Sequence, residues 1–328
     1  YYSPRLEKKL AGLITAPVTI VEAPSGYGKT TAVKDYLRGQ LPATTSVFWW
    51  NADEDAPKTS WARLCKIFAR IDPRSGEKLY SNAFPCITNA WEIAETIADI
   101  ECSVPSVLVL DDFQHLQKHL PRSVMSAILS YAGANLILVI ITQTTRPFLR
   151  SFFQQSGANY LHINDLRLQA DDIYRYYQLC GLAISKSEAK QLYRYTEGWI
   201  IALYLIILQI QQGEGFTPGL GIIRLIESIV WENADFQTKT LLLHLALFPS
   251  ITTEQIGFLF QSKCPQRNVL NILDEIPFVR YETSKQCYIF HAILREMLLR
   301  RLEAADSETR TSCYSRAGTW YAHIGDSQ

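Results

Sequence analysis

No excess of charge of either sign is present in this chain: 32 Lys and Arg residues face 32 Asp and Glu. That balance excludes a whole-chain footprint for nucleic acid, which needs clustered, uncompensated cations. Long apolar runs are also missing. The longest, Trp199–Leu208, is about half of the roughly 20 residues that span a bilayer, so no membrane segment is expected. Tyr1-Tyr2-Ser3-Pro4-Arg5 lacks the basic-then-apolar order of a secretory signal. The 7 cysteines are odd in number and include no Cys-x-x-Cys pair, which argues against both a disulfide framework and a zinc site. They read as buried free thiols in a reducing compartment, and the expected location is cytoplasmic. The composition that remains, 48% hydrophobic and 20% charged, can bury substantial cores, and 328 residues suit two or three domains.

Strands and helices alternate through the first half. Val18–Ala23, Val47–Trp50, Val107–Leu110, Leu136–Ile141 and Tyr160–Ile163 read as five short apolar strands. Lys29–Arg38, Trp61–Ile71 and Ala90–Ile100 have helical spacing between them. Continuous apolar strands separated by helices indicate a parallel sheet covered on both faces. After about Asp165 the pattern becomes helical: Ala170–Leu179, Ser187–Tyr195, Trp199–Gln211, Ile222–Trp231, Phe236–Phe248, Thr253–Phe260 and Asn268–Asp274. Phe278–Glu282 and Cys287–Phe290 then form a hairpin pattern about Thr283-Ser284-Lys285, giving three helices and a hairpin, the order of a winged helix. Ile293–Leu302 and Arg310–Ile324 close the chain as helices. Trp199–Leu208 is apolar nearly all round and reads as a buried core helix.

Ala23-Pro24-Ser25-Gly26-Tyr27-Gly28-Lys29-Thr30 lies directly after a strand and directly before a helix, in the Walker A pattern. Backbone N–H groups of Ser25, Gly26, Tyr27, Gly28 and Lys29 can curl around an anion, with the glycines allowing close approach to phosphate oxygens. The N-terminus of the following helix adds its positive dipole end. Lys29 reaches the β- and γ-phosphates, the Thr30 hydroxyl can ligate Mg²⁺, and Thr31 is placed for the α-phosphate. This is a nucleotide-phosphate site.

Val107-Leu108-Val109-Leu110-Asp111-Asp112 supplies the partner, a buried strand ending in carboxylates where α/β sheets place ligands. Asp111 would hold the Mg²⁺ shell. Asp112 either polarises the attacking water or caps the next helix. An Asp reaches less far than a Glu, so slow ATP hydrolysis to ADP and phosphate is expected, with Asp112 and Lys29 as the catalytic pair.

With these motifs placed, the chain resembles the STAND class of P-loop ATPases, specifically the ATPase core of large LuxR-type transcription regulators related to the maltose-regulon activator. The resemblance rests on Pro4-Arg5-Leu6, the phosphate loop with Tyr27, Trp49 before Asp53-Glu54-Asp55, and Asp111-Asp112-Phe113. It continues through Asp165-Leu166-Arg167-Leu168, Thr196-Glu197-Gly198-Trp199, Phe290-His291 and Trp320-Tyr321…Gly325. It implies an α/β P-loop NTPase domain with a five-stranded parallel sheet (residues 1–165), a helical domain (166–220), a winged-helix domain (221–304) and the start of a helical sensor arm (305–328). The implied ligands are ATP or ADP with Mg²⁺. The implied behaviour is a closed ADP state and an open state, driven by ATP and an inducer or regulatory protein, that self-associates. Pro4 and Arg5 would contact the nucleotide, and His291 would reach the ADP β-phosphate. Arg167 either contacts the nucleotide or pairs with Asp165 or Asp171. The family's DNA-binding helix-turn-helix has no counterpart in the sequence, so this chain is not expected to bind nucleic acid directly.

Three positions depart from the family pattern. Where a Ser/Thr-Arg sensor is usual, Thr142-Gln143 stands here. Gln143 can hydrogen-bond a γ-phosphate without charge, and Arg146 either substitutes or sits in solvent. Gly198-Trp199 leads to Ile200 where many relatives carry an adenine-contacting proline, leaving that contact to Trp199 or Pro4–Leu6. His291-Ala292 replaces a pair of histidines. Asp53-Glu54-Asp55 reads as an exposed loop rather than a metal site.

A metabolic enzyme that moves phosphate to a small molecule would use the same loop. It would also need an Arg-rich lid and a compact second pocket, whereas half of this chain goes to helices and a winged-helix pattern. Direct DNA binding by that pattern is disfavoured by its charge: Arg224, Lys239, Lys263, Arg267, Arg280, Lys285, Arg295, Arg300 and Arg301 face an equal number of acidic residues between Gly221 and Glu303.

Overall fold

The computed structural model describes residues 1–53, 56–131, 135–145, 148–151, 157–211, 213, 220–260, 266–282 and 285–324. The chain divides into two compact units, Tyr1–Arg167 and Leu168–Gln328.

The first unit is built on five parallel strands: β1 (Val18–Glu22), β2 (Ser46–Asn51), β3 (Ser106–Asp111), β4 (Leu136–Thr142) and β5 (Asn159–His162), in the order β2-β3-β4-β1-β5. Parallel neighbours need long crossovers, and helices Lys29–Gln40, Pro57–Ile71, Ala90–Ala98 and Arg122–Ser130 occur in the stretches between the strands. Side chains alternate across the pleat. Ile20, Leu108, Leu110, Leu138 and Ile140 join one core cluster with Trp61, Leu64, Phe68, Ile93 and Ile97. Val21, Val107, Val109, Val139 and Ile141 occupy the alternate positions and are buried as well. Burial on both faces is why these strands read as continuous apolar runs. β3 is buried at every residue, whereas the edge strands β2 and β5 are only partly covered.

All five expected strands are present, with ends shifted by no more than a residue or two. Helices Pro73–Ser81 and Arg122–Ser130 were not anticipated. The first is capped by Asp72, whose carboxylate accepts the Arg74 N–H at 3.1 Å. It carries Gly76, where an added Cβ would lie 2.1 Å from the Ala69 backbone of the preceding helix. Glycine there permits an approach that no other residue allows.

The second unit is mainly helical. Ala170–Leu179, Lys186–Thr196, Ile200–Gln211 and Leu220–Ile226 are followed by a π-helical turn, Glu227–Trp231. Helices Phe236–Leu245, Thr253–Phe260 and Gln266–Glu275 precede a hairpin of β7 (Val279–Glu282) and β8 (Cys287–Phe290). β8 also pairs with the two-residue β6 (Ile251–Thr252). Ala292–Glu303 and Ser307–Ile324 complete the unit. The expected order of three helices and a hairpin is thus present as secondary structure; residues 283–284 of the expected turn fall outside the described residues. The apolar helix Ile200–Gln211 buries Ala202, Leu203, Ile206 and Ile207, but Tyr204 is 48% exposed, so one face of it is open. The cysteine expectation needs a similar correction. Cys65, Cys287 and Cys313 are buried free thiols, whereas Cys86 is exposed. Among the described residues no helix is long and apolar enough to cross a membrane.

Candidate functional site

The C-terminal ends of the parallel strands share one edge of the sheet, and the loop leaving β1 crosses it. Gly26 and Gly28 adopt left-handed backbone, with φ of 79° and 76°. A Cβ would strain either turn. Gly28 is also the N-cap of helix Lys29–Gln40 and offers no side chain to the first-turn N–H groups. They remain available to an anion, with the helix dipole behind them. Tyr27 is buried, whereas Thr30 and Thr31 are exposed. The loop keeps its apolar side chain inward and its hydroxyls outward.

Lys29 is 8% exposed, and its Nζ donates to the Pro24 carbonyl at 3.0 Å. Burial pushes its pKa down to about 8, partly offset by the charges of Asp112 and Asp111. A phosphate beside so buried an amine would favour its charged form further. The Thr30 hydroxyl bonds both carboxylate oxygens of Asp111, at 3.2 and 3.0 Å. Burial raises the pKa of Asp111, with the neighbouring Asp112 adding to the effect, against the Thr30 hydroxyl, the Asp112 N–H and Lys29. Thr30 and Asp111 bring together oxygen donors of the kind a hard cation takes. Among the described residues no cluster of three or more His, Cys, Asp or Glu could hold a metal alone. The pair therefore fits Mg²⁺, which completes its shell with water and phosphate oxygens, and does not fit an all-protein metal cage.

Asp112 follows β3 with a left-handed φ of 50°, a conformation that aspartate tolerates better than most residues. Its carboxylate does not cap the short helix Gln114–Gln117, whose N-cap is Phe113; Oδ1 instead accepts the Gln114 side-chain amide at 3.1 Å. The bond expected of a simple helix cap is therefore absent. Gln114 Oε1 in turn accepts the Gln143 N–H at 3.0 Å and lies 3.2 Å from the Thr142 hydroxyl, at the end of β4. On the far side of β4, Thr145 is held by Glu22 at the end of β1. Its hydroxyl donates to Glu22 Oε2 at 2.8 Å, and the Tyr160 hydroxyl donates to the same oxygen. Arg150 completes the cluster, with Nη2 2.9 Å from Glu22 Oε1.

The structure thus brings Lys29, Thr30, Asp111, Asp112 and Gln143 to one edge of the sheet. Arg146 and residues 54–55 lie outside the described residues. Pro4 opens helix Pro4–Leu10, where Ser3 Oγ caps the Leu6 N–H at 3.2 Å. Arg5 Nη2 donates to the Arg167 carbonyl at 2.8 Å, so the two arginines meet through side chain and backbone. Arg167 makes no ion pair with Asp165 or Asp171 among the described residues; Asp165 instead accepts the His162 N–H at 2.9 Å. Arg167 Nε is buried and has no hydrogen-bond partner among the described residues.

His291 lies within the second unit, 5% exposed, as the N-cap of helix Ala292–Glu303. Nδ1 accepts the Ile293 N–H at 3.3 Å, which puts the proton on Nε2, and Nε2 donates to the Thr196 carbonyl at 3.0 Å. Its ring packs edge-on to Trp199 and Phe278.

Gln114 and Glu22 were not anticipated as parts of the site. A glutamine two residues after an acidic pair is a weak signal until β4 is known to lie beside β3. An acidic residue ending an apolar strand is a somewhat stronger one.

No protein-family model matches the chain. It is 23% identical over 323 residues to the serine/threonine-protein kinase PknK of Mycobacterium tuberculosis, covering 93% of this chain and 29% of that protein. It is 22% identical over 318 residues to the HTH-type transcriptional regulator MalT of Serratia proteamaculans, covering 91% of this chain and 35% of that protein. The chain therefore spans about a third of the length of these relatives. Among solved structures, a Walker-type ATPase of Pyrococcus abyssi superposes with a TM-score of 0.61 at 12% identity, covering 90% of this chain and 95% of that one. The first unit has the α/β fold of P-loop NTPases.

Proposed function

We propose that the chain is the nucleotide-responsive core of a multidomain regulator, binding ATP and ADP with Mg²⁺ at the edge of the parallel sheet. The observation that carries this reading is the buried Lys29 amine beside the Thr30–Asp111 pair, under a loop with left-handed Gly26 and Gly28. Likeness to a transcriptional regulator over 91% of the chain supports the regulatory part. Mg²⁺ would be held by Thr30 and Asp111 and would supply charge neutralisation at the phosphates. Ser25–Thr31 wrap the phosphates, Gln143 meets the γ-phosphate, Arg146 is a second sensor, and Asp112 orients the water that attacks it. Residues 166–220 act as a helical domain and 221–304 as a winged helix.

In the ADP state the chain is closed, with His291 turned to the β-phosphate and Pro4, Arg5 and Arg167 on the nucleotide. ATP and an inducer or regulatory protein open it for self-association. His291 Nε2 must then exchange the Thr196 carbonyl for a phosphate oxygen, a trade of one acceptor for another with more charge.

Asp112→Asn tests the hydrolytic part. The amide keeps the size of the side chain but cannot take a proton from water, so single-turnover ATP hydrolysis should fall by about 100-fold with ATP affinity nearly unchanged. Quench-flow or slow-quench measurement of phosphate release decides it; equal rates in variant and parent would remove Asp112 from the chemistry. Rapid phosphate transfer to an added small-molecule acceptor would favour an enzyme over a regulator.

A further inference from the structure

One side chain joins two strand ends that meet at the candidate site. Gln114 donates from Nε2 to Asp112 Oδ1 at 3.1 Å, and its Oε1 accepts the Gln143 N–H at 3.0 Å and lies 3.2 Å from the Thr142 hydroxyl, whose one proton is shared with the Thr144 carbonyl at 2.8 Å. A primary amide gives a carboxylate a donor and a backbone N–H an acceptor at the same time, and adds no charge.

The surroundings leave Asp112 little other freedom. Its backbone is fixed at φ 50°, its N–H donates to Asp111 Oδ1 at 3.0 Å, and its carbonyl accepts the His115 N–H at 3.1 Å. The next residue is tied to β4, Phe113 N–H donating to the Ile141 carbonyl at 3.1 Å. What remains is rotation of the carboxylate, and the Gln114 amide restrains it. The acceptor side is equally anchored. Gln117 Nε2 donates to the Thr144 carbonyl at 2.7 Å, and the Thr145 hydroxyl donates to Glu22 at 2.8 Å. The segment Thr142–Thr145 is therefore a fixed frame, held from helix Gln114–Gln117 after β3 and from Glu22 at the end of β1.

We infer that Gln114 is a positioning residue: it sets the orientation of the Asp112 carboxylate and ties it to the backbone of Gln143 at the end of β4. The inference rests on Asp112 acting on water in ATP hydrolysis, as proposed above. A carboxylate already held needs no ordering when water and phosphate arrive, and a loose one spends most of its time misaligned. Any shift of Thr142–Gln143 on meeting a γ-phosphate would reach the Asp112 carboxylate directly through this amide.

A double-mutant cycle in the full chain tests it. Gln114→Met keeps the length of the side chain and removes its polar contacts. Gln114→Glu keeps the acceptor toward Thr142 and Gln143 and replaces the donor toward Asp112 with a like charge that turns the Asp112 carboxylate away, so it carries the test if the methionine variant does not fold. Single-turnover hydrolysis and fluorescent-ATP affinity are measured for each, in the parent and in the Asp112→Asn background. Either variant should slow hydrolysis about tenfold and leave ATP affinity within about twofold. In the Asp112→Asn background each should change the rate by less than about twofold, because the group it positions is no longer a base. Losses that multiply across the cycle, or a Gln114→Glu protein as fast as the parent, would overturn the positioning role. Absence of any hydrolysis by the parent chain would overturn the hydrolytic reading and this inference with it, an outcome distinct from multiplying losses.

Discussion

Lys29→Ala is expected to weaken both ATP and ADP binding by at least about 100-fold, ~3 kcal/mol, because the phosphates lose a charge-assisted donor and the loop loses its one lysine. Arginine should not restore it. Lys29 is 8% exposed, and a planar guanidinium does not fit where a point ammonium bonds the Pro24 carbonyl. Fluorescence titration of variant and parent reads the change, and unchanged affinity would remove Lys29 from the site. The depressed pKa of about 8 adds a signature of its own. A bound phosphate favours the charged amine, so binding takes up protons once the pH approaches or exceeds 8, and affinity falls as pH rises further. The sign for stability is opposite. Between about 8 and the ordinary lysine value of 10.5 the unfolded chain binds more protons than the folded one, so this group's contribution to folding increases with pH across that window.

Gly198→Ala should cost about 3 kcal/mol or more in the second unit. Gly198 has φ 76°, a Cβ there would lie 2.2 Å from the Leu168 carbonyl oxygen, and its own carbonyl accepts the Leu168 N–H at 3.1 Å. Left-handed strain alone contributes roughly 1–2 kcal/mol, and a backbone clash that close adds displacement of the Leu168 strand of chain. The neighbours make the damage spread. Thr196 Oγ1 accepts the Gly198 N–H at 3.2 Å, the Thr196 carbonyl accepts the Trp199 N–H at 2.9 Å, and the same carbonyl takes His291. Trp199 is fully buried against Phe278, their ring centroids 4.7 Å apart. Urea unfolding followed by tryptophan fluorescence measures the loss; a midpoint within error of the parent would mean that the Leu168–Gly198 contact bears no strain.

The two halves of the chain differed in how much of this was legible beforehand. Strands β1, β3 and β4 are buried on both faces, and their unbroken apolar runs leave no other reading. Walker-type spacing then pointed to Lys29 and Thr30, and the end of an apolar strand pointed to Asp111, which the structure places against Thr30. Helix Pro73–Ser81 was hidden for the opposite reason: its buried face is Ser75, Gly76 and Leu79, and only the last is a large apolar side chain. Arg122–Ser130 does carry the signal, with Val124, Met125, Ile128 and Leu129 at helical spacing and all buried. Gln114 was illegible in principle, because its partners Thr142 and Gln143 lie at the end of β4, 28 and 29 residues further along the chain. His291 and Thr196 are 95 residues apart in sequence, and no local pattern announces that the histidine caps a helix with one nitrogen and bonds the Thr196 carbonyl with the other.

One nucleotide is expected to bind through Lys29, Thr30 and Asp111, with Mg²⁺ between protein and phosphate. Calorimetric titration of the chain with ATP, in Mg²⁺ and again in excess EDTA, measures this binding. One site per chain is expected, with affinity falling at least about tenfold when the cation is removed, because the Thr30–Asp111 pair then faces the phosphates without the charge that joins them. No binding in either buffer at millimolar ATP, or binding of equal strength in both, would contradict the account.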